Sequence, residues 1–227
     1  MAILASEIIN DAFGRAFPYV RETDIVYGPL LRHLASLDTE VVQWYTLQYP
    51  ERLNVVATPI PVVNSQNPSG YVLQAAGALG YSEFRWIDTN NYIWPINIVP
   101  EDRFDHPMLH PAGMIRGNTF FPADPTELRW QNNDPRQFYI GNGDTITYSY
   151  MPLPGQLTSL SSTLVSPDEA RNYIAAAITT QILMNAAGDV PQEKIQLSMA
   201  YMAARRQELM LDMMKRSEAR ARGMEQV

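Results

Sequence analysis

The hydrophobic period of this chain changes twice, and that constrains its fold more than any single motif. Up to Pro50, and again from Pro167 to the end, apolar residues recur at three- and four-residue steps; between Leu53 and Tyr150 they tend to alternate. Side chains at i, i+3 and i+4 share one helix face, whereas those at i and i+2 share one sheet face. The chain therefore reads as two helices, a run of short strands, then two more helices.

Local signals refine that order. From Ala2 to Phe17, Ile3, Leu4, Ile8, Phe13 and Phe17 sit at near-helical spacing and stop at Pro18. Thr23 or Asp24 is placed to cap a second helix, with Pro29 near its start. Leu30, Leu31, Leu34, Leu37, Val41, Val42 and Tyr45 form its apolar stripe, which ends before Pro50. The segments "LNVVATPIPVV", "YVLQ", "SEFRWIDTNNYIWPINIV", "GMIRGNTFF" and "QFYIGNGDTITYSYM" read as strands, with hairpin turns at "DTNN" and "GNGD". In the second turn Gly141, Asn142 and Gly143 tolerate positive φ.

Helix returns at "SPDEARNY". Ser166 reads as an N-cap, Pro167 as the first helical position, and Asp168 and Glu169 as an acidic first turn, Glu169 completing a capping box. Gly188 is placed to close that helix, and "VPQEKIQLSMAYMAARRQELMLDMMKRSEARARGM" makes the last and longest one. The expected fold is α+β. Residues 1–52 and 151–227 form a four-helix bundle from the two chain ends, its C-terminal helix extended, and 53–150 form an inserted small antiparallel β domain.

Composition excludes several functions. No apolar run approaches the roughly 20 residues that span a bilayer, and no basic region precedes the first apolar stretch, so neither membrane anchor nor secretory signal is expected. The lack of cysteine removes disulfides and thiolate ligands and fits a reducing cytoplasm. Net charge is −7, split between residues 1–190 (10 basic, 19 acidic) and 191–227 (7 basic, 5 acidic). An acidic body argues against a dedicated nucleic-acid binder, which needs a Lys/Arg face to displace counterions from phosphates.

Catalytic groups are hard to assemble. His33, His106 and His110 are the available imidazoles, and "EDRFDHPMLHP" sets Asp102, Asp105, His106 and His110 close together. Pro107 and Pro111 break the helical spacing that paired His ligands need, so a surface loop with no metal is expected. Tyr81, Phe84, Trp86, Tyr92 and Trp94 could stack a sugar or base, but alternation on a hairpin fits cross-strand core pairs better. No phosphate-binding or nucleophile-elbow motif is present, and neither catalytic nor cofactor-binding residues are expected.

Two segments point to assembly instead. "PLPGQLTSLSSTLVS" is long and uncharged for a free linker, so Leu153, Leu157, Leu160 and Leu164 are candidates for a contact with another subunit. In the last helix Ile195, Met199, Met202, Leu209 and Met213 form a seam interrupted by Arg206, and seven of the 11 methionines follow residue 183. Past Met210 this stripe is expected to outrun any intrachain partner. Met210, Met213 and Met214, with the basic Lys215, Arg216, Arg220 and Arg222, then form a docking end that orders on binding.

The layout resembles the head–tail adaptor (connector) proteins of tailed bacteriophages. The matching pieces are the paired N-terminal helices ending in "YP" after "EVVQWYTLQ", the strand "TITYSYMPLPGQLTSL" of the type Y-x-Y-x-P-x-P followed by L-T-S, and "SPDEARNYIAAAITTQIL" before a long C-terminal helix. The resemblance implies a non-enzymatic virion protein: a homo-oligomeric ring, usually of about twelve copies, docked under the portal protein and offering a surface to the tail. It implies a place at the neck of the virion, after synthesis in the host cytoplasm. Such a ring would carry on the order of −80 charges, a lumen that repels phosphates so that genomic DNA slides without specific binding. Another neck or tail ring component, or a carbohydrate- or nucleotide-binding protein, remain the alternatives.

Overall fold

The structure, a computed structural model, describes residues 3–21, 26–63, 70–73, 78–100, 112–122, 142–186 and 190–224, of which 220–224 as backbone. In chain order these form β1 (Ile3–Leu4), α1 (Ala5–Ala16), α2 (Tyr27–Gln48), β2 (Val55–Val56), β3 (Ile60–Pro61), β4 (Tyr71–Val72), β5 (Ala78–Ile87) and β6 (Ile93–Pro95). There follow β7 (Asn97–Ile98), β8 (Ala112–Arg116), β9 (Thr119–Pro122), β10 (Thr145–Pro152), β11 (Thr163–Leu164), α3 (Arg171–Met184) and α4 (Gln192–Met224). The fold is mixed α+β. It divides into two compact units, Met1–Leu53 with Leu153–Val227, and Asn54–Pro152.

In the helical unit α3 decides the architecture. Tyr173 through Thr180 are buried without a break, followed by Ile182 and Leu183, so every face of that helix is enclosed. A helix apolar or small on all sides belongs inside a domain. Its two buried polar residues satisfy themselves: the Thr179 and Thr180 hydroxyls donate to the carbonyls of Ala175 (2.7 Å) and Ala176 (3.0 Å). α1, α2 and α4 all pack on α3. The expected four-helix bundle is therefore corrected. Bundle helices each lend one stripe to a shared core, whereas here α3 is itself the core element.

The chain ends and the crossing are joined in ways the sequence pattern hid. Ile3 and Leu4 are not helical; they pair antiparallel with Leu164 and Thr163. The first free N–H groups of α1 are taken by the crossing, Ala5 donating to the Ser162 carbonyl (2.9 Å) and Ser6 to that of Leu160 (2.9 Å). Ser166 is not an N-cap, because a 3-10 turn at Asp168–Ala170 precedes α3 and neither is capped by a side chain. Instead the buried Asp38 carboxylate of α2 accepts from the Val165 N–H (3.1 Å), the Ser166 N–H (2.8 Å) and the Ser166 hydroxyl (2.5 Å). The expected α2 stripe is buried as a set, but the N-cap position falls on Val26. Thr23, Asp24 and Gly188 lie outside the described residues.

The second unit holds two sheets, β2-β10-β5-β6 with β3 also on β10, and β4-β9-β8-β7. Among the described residues the pairs are antiparallel except β7 with β8, which run parallel, so the antiparallel expectation is corrected there. Phe84 of β5 stacks on Phe120 of β9 (5.4 Å between centroids) and on Tyr148 of β10 (5.3 Å), tying the sheets into one core with Trp86, Ile146 and Leu73. Gly113 makes this possible, since a Cβ there would meet the Phe120 ring and the Phe121 carbonyl oxygen at 2.9 Å. Glu83, at φ +53°, is the bulge where β5 slips against β10, and its carboxylate accepts from the Ser149 hydroxyl (3.1 Å).

The "DTNN" hairpin forms between β5 and β6, with Trp86 opposite Trp94 and Ile87 opposite Ile93. The Asp88 carboxylate holds the turn by accepting from the N–H groups of Asn90 (2.8 Å) and Tyr92 (2.9 Å). Gly143 takes φ +90° in the "GNGD" segment. Beside it the buried Asp144 carboxylate accepts from the Trp86 indole N–H (2.7 Å) and the Thr89 N–H (3.0 Å).

Candidate functional site

The end of α4 is docked on its own chain. Leu209 is 5% and Met213 0% exposed. One turn on, Arg216 donates to Asp212 (2.8 Å) and reaches Glu169 at 3.9 Å. Glu169 also accepts from Arg52 through Nε (3.0 Å) and Nη2 (2.8 Å). Met213 is thus a core residue, and the expectation that the stripe outruns intrachain partners past Met210 is corrected. The helical unit reaches that far because the 3-10 turn carrying Glu169 sits beside the end of α2. Met210 is half-buried, whereas Met214 and Lys215 are exposed. The backbone stays helical to Met224, which places Arg220 and Arg222 on α4, their side chains outside the described residues.

Electrostatics follow from this clustering. Burial pushes the Tyr45 phenol up to about 12, with the charges of Glu169 and Asp212 adding to the rise and Arg216 and Arg52 opposing it. Burial works to raise the Glu169 carboxyl too, but the Arg52 hydrogen bonds and the charges of Arg52 and Arg216 outweigh it and hold the carboxyl below its usual value. Arg206, the break in the expected seam, is a second tie: it pairs with Glu40 (3.5 Å) and lies 4.8 Å over the Trp44 ring, which in turn packs on Tyr173.

The seam itself is shifted from the sequence reading. Ile195, Ser198, Met202, Arg205, Leu209 and Met213 are half-buried or buried and follow one line along α4, while Met199 is exposed. Ser198 bonds the Thr180 hydroxyl (2.8 Å), so a polar residue occupies a seam position that an apolar count skips. Exposed apolar residues then lie on other faces: Leu197 and Tyr201 near the start, Leu211 (47%) and Met214 (49%) near the end. The leucines of the crossing divide likewise. Leu164 is buried against the chain's own N-terminal strand, which corrects its assignment to another subunit. Leu157 is half-buried; Leu153 and Leu160 are exposed.

His33 is half-buried on α2, where burial lowers its pKa against the raising effect of Glu40. Asp102, Asp105, His106 and His110 lie outside the described residues, and among the described residues no three His, Asp or Glu side chains are placed to hold a metal. Phe84 and Trp86 are buried in the core of the β unit and are closed to a stacking ligand. Among the described residues no helix is long and apolar enough to cross a membrane. No protein-family model matches the chain, and no curated protein matches it.

Proposed function

We propose that this chain is a head–tail adaptor subunit of a tailed bacteriophage, assembling into a ring under the portal that continues the DNA channel and presents a surface to the tail. The reading rests on the resemblance set out above and is carried by one observation. Over a single stretch α4 is apolar on two faces, Leu209 and Met213 turned inward and Leu211 and Met214 exposed beside Lys215. Neighbouring exposed apolar side chains on one face of a helix offer surface that a partner can cover. The inward face is covered by its own chain; a neighbouring subunit or the portal covers the exposed one. Leu153 and Leu160 add exposed apolar surface on the crossing. In a ring the net charge of −7 per copy gives a lumen over which DNA slides without being held.

The test is native mass spectrometry of the full chain mixed with the portal protein of the same virus. The reading expects a complex holding about twelve copies per portal ring, reduced by Leu211→Asp. A chain that stays monomeric beside an intact portal would overturn it.

A further inference from the structure

At the other end of α4 a groove of about 520 Å³ opens between the last turn of α1, the end of α3 and the first turns of α4. Its apolar surface comes from Leu183, Leu197 and the ring of Tyr201. Of the hydroxyls that line it, Thr179 donates to the Ala175 carbonyl, Ser198 bonds Thr180, and Tyr201 accepts from Arg15 (3.5 Å). The charged groups on its rim are two cations, Arg15 and Lys194.

Those cations differ. Arg15 spends Nε and Nη2 on Asp11 (3.1 and 2.8 Å) and lies 5.6 Å from the centroid of the Tyr201 ring. Lys194 has its ammonium 5.8 Å from the Tyr19 ring and, among the described residues, no carboxylate within ion-pair distance. It sits in the first turn of α4 next to Glu193, and its own N–H donates to the Pro191 carbonyl (2.9 Å). With Arg15 paired to Asp11, Lys194 is the cation left to meet a ligand beside the aliphatic walls.

We propose that the groove binds an acidic segment of a partner protein, one aliphatic side chain entering between Leu183 and Leu197 and a neighbouring carboxylate pairing with Lys194. Charge complementarity selects the occupant: the ammonium attracts a carboxylate, and the apolar walls reward an aliphatic neighbour that a nucleic acid lacks. The inference is independent of the ring reading, since it concerns a different face of the helical unit.

Fluorescence polarisation on the full chain tests it with labelled peptides. The probe is GEDLIEDG, the controls are GKKLIKKG and GEDSSEDG, and an oligothymidylate of equal charge is the competitor. The probe should bind at least ~10-fold more tightly than either control and weaken as salt rises. Lys194→Glu should weaken the probe ~10-fold and shift preference toward GKKLIKKG. A glutamate is well placed in the first turn of a helix, so this variant keeps its fold, as far-ultraviolet circular dichroism will verify. Leu197→Ser, at an exposed position, should lower affinity while leaving the salt dependence unchanged. Equal binding of probe and controls, an affinity unmoved by Lys194→Glu, or preference for the oligothymidylate would each overturn the proposal.

Discussion

Replacing Met213 by alanine separates a docked helix end from a free one. The Met213 side chain is fully buried, whereas Met214, its neighbour in sequence, is about half exposed. Burying a methionine side chain stabilises by about 1.5–3 kcal/mol, and truncation to alanine forfeits most of that. The vacated space adds a cavity cost where the surroundings cannot collapse, and here the ion pairs of Arg216 with Asp212 and Glu169 hold the next turn in place. The expected loss is about 3 kcal/mol for Met213→Ala, against less than about 0.5 kcal/mol for Met214→Ala. Urea unfolding followed by circular dichroism at the helical wavelength reads both, because the helical unit carries the long helices. A Met213→Ala variant as stable as Met214→Ala would refute the docking of α4. Equally, removal of residues 210–227 should destabilise the helical unit rather than leave it intact.

Asp38→Ala should cost about 3 kcal/mol, since it strands two backbone N–H groups and a hydroxyl in a buried place; Ser166→Ala, which keeps its N–H bond to Asp38, should cost about 1 kcal/mol in the same assay. Tyr45 has a folded pKa above its usual value, so its contribution is complete below about pH 10 and is lost as pH rises through about 12. Tyr45→Phe should therefore lose about 2 kcal/mol less than the parent chain across that window in pH-dependent unfolding. Gly113→Ala should destabilise the β unit by about 2 kcal/mol or more, seen as an earlier transition in tryptophan fluorescence, because the Phe120 ring has no room to retreat in the stacked core.

What the sequence disclosed was whatever a local period or turn residue dictates. The α2 stripe, the change of period at Leu53 and the Asp88 hairpin are of that kind, since each is set by residues within a few positions of one another. What it hid is long-range. Nothing near Ser166 says that its partner is Asp38, more than a hundred residues earlier, so a serine before Pro-Asp-Glu looks like a cap. Ile3 and Leu4 fit a helical period as well as an extended pair, and only Leu164 and Thr163 decide between them. In α4 the seam was misread because Ser198 holds an inward position through its hydrogen bond to Thr180, while Met199 faces out. The evenly apolar composition of α3 did signal an enclosed helix; the bundle expectation treated it as one stripe among four.

Electron cryomicroscopy of virions from the phage proposed to carry this chain tests the central claim most directly. The account predicts a collar of about twelve copies beneath the portal, with the helical unit recognisable by α3 enclosed among α1, α2 and α4, and with Leu211 and Met214 covered by a neighbouring chain. A neck in which no density fits the helical unit, or one in which Leu211 and Met214 face solvent, would contradict it.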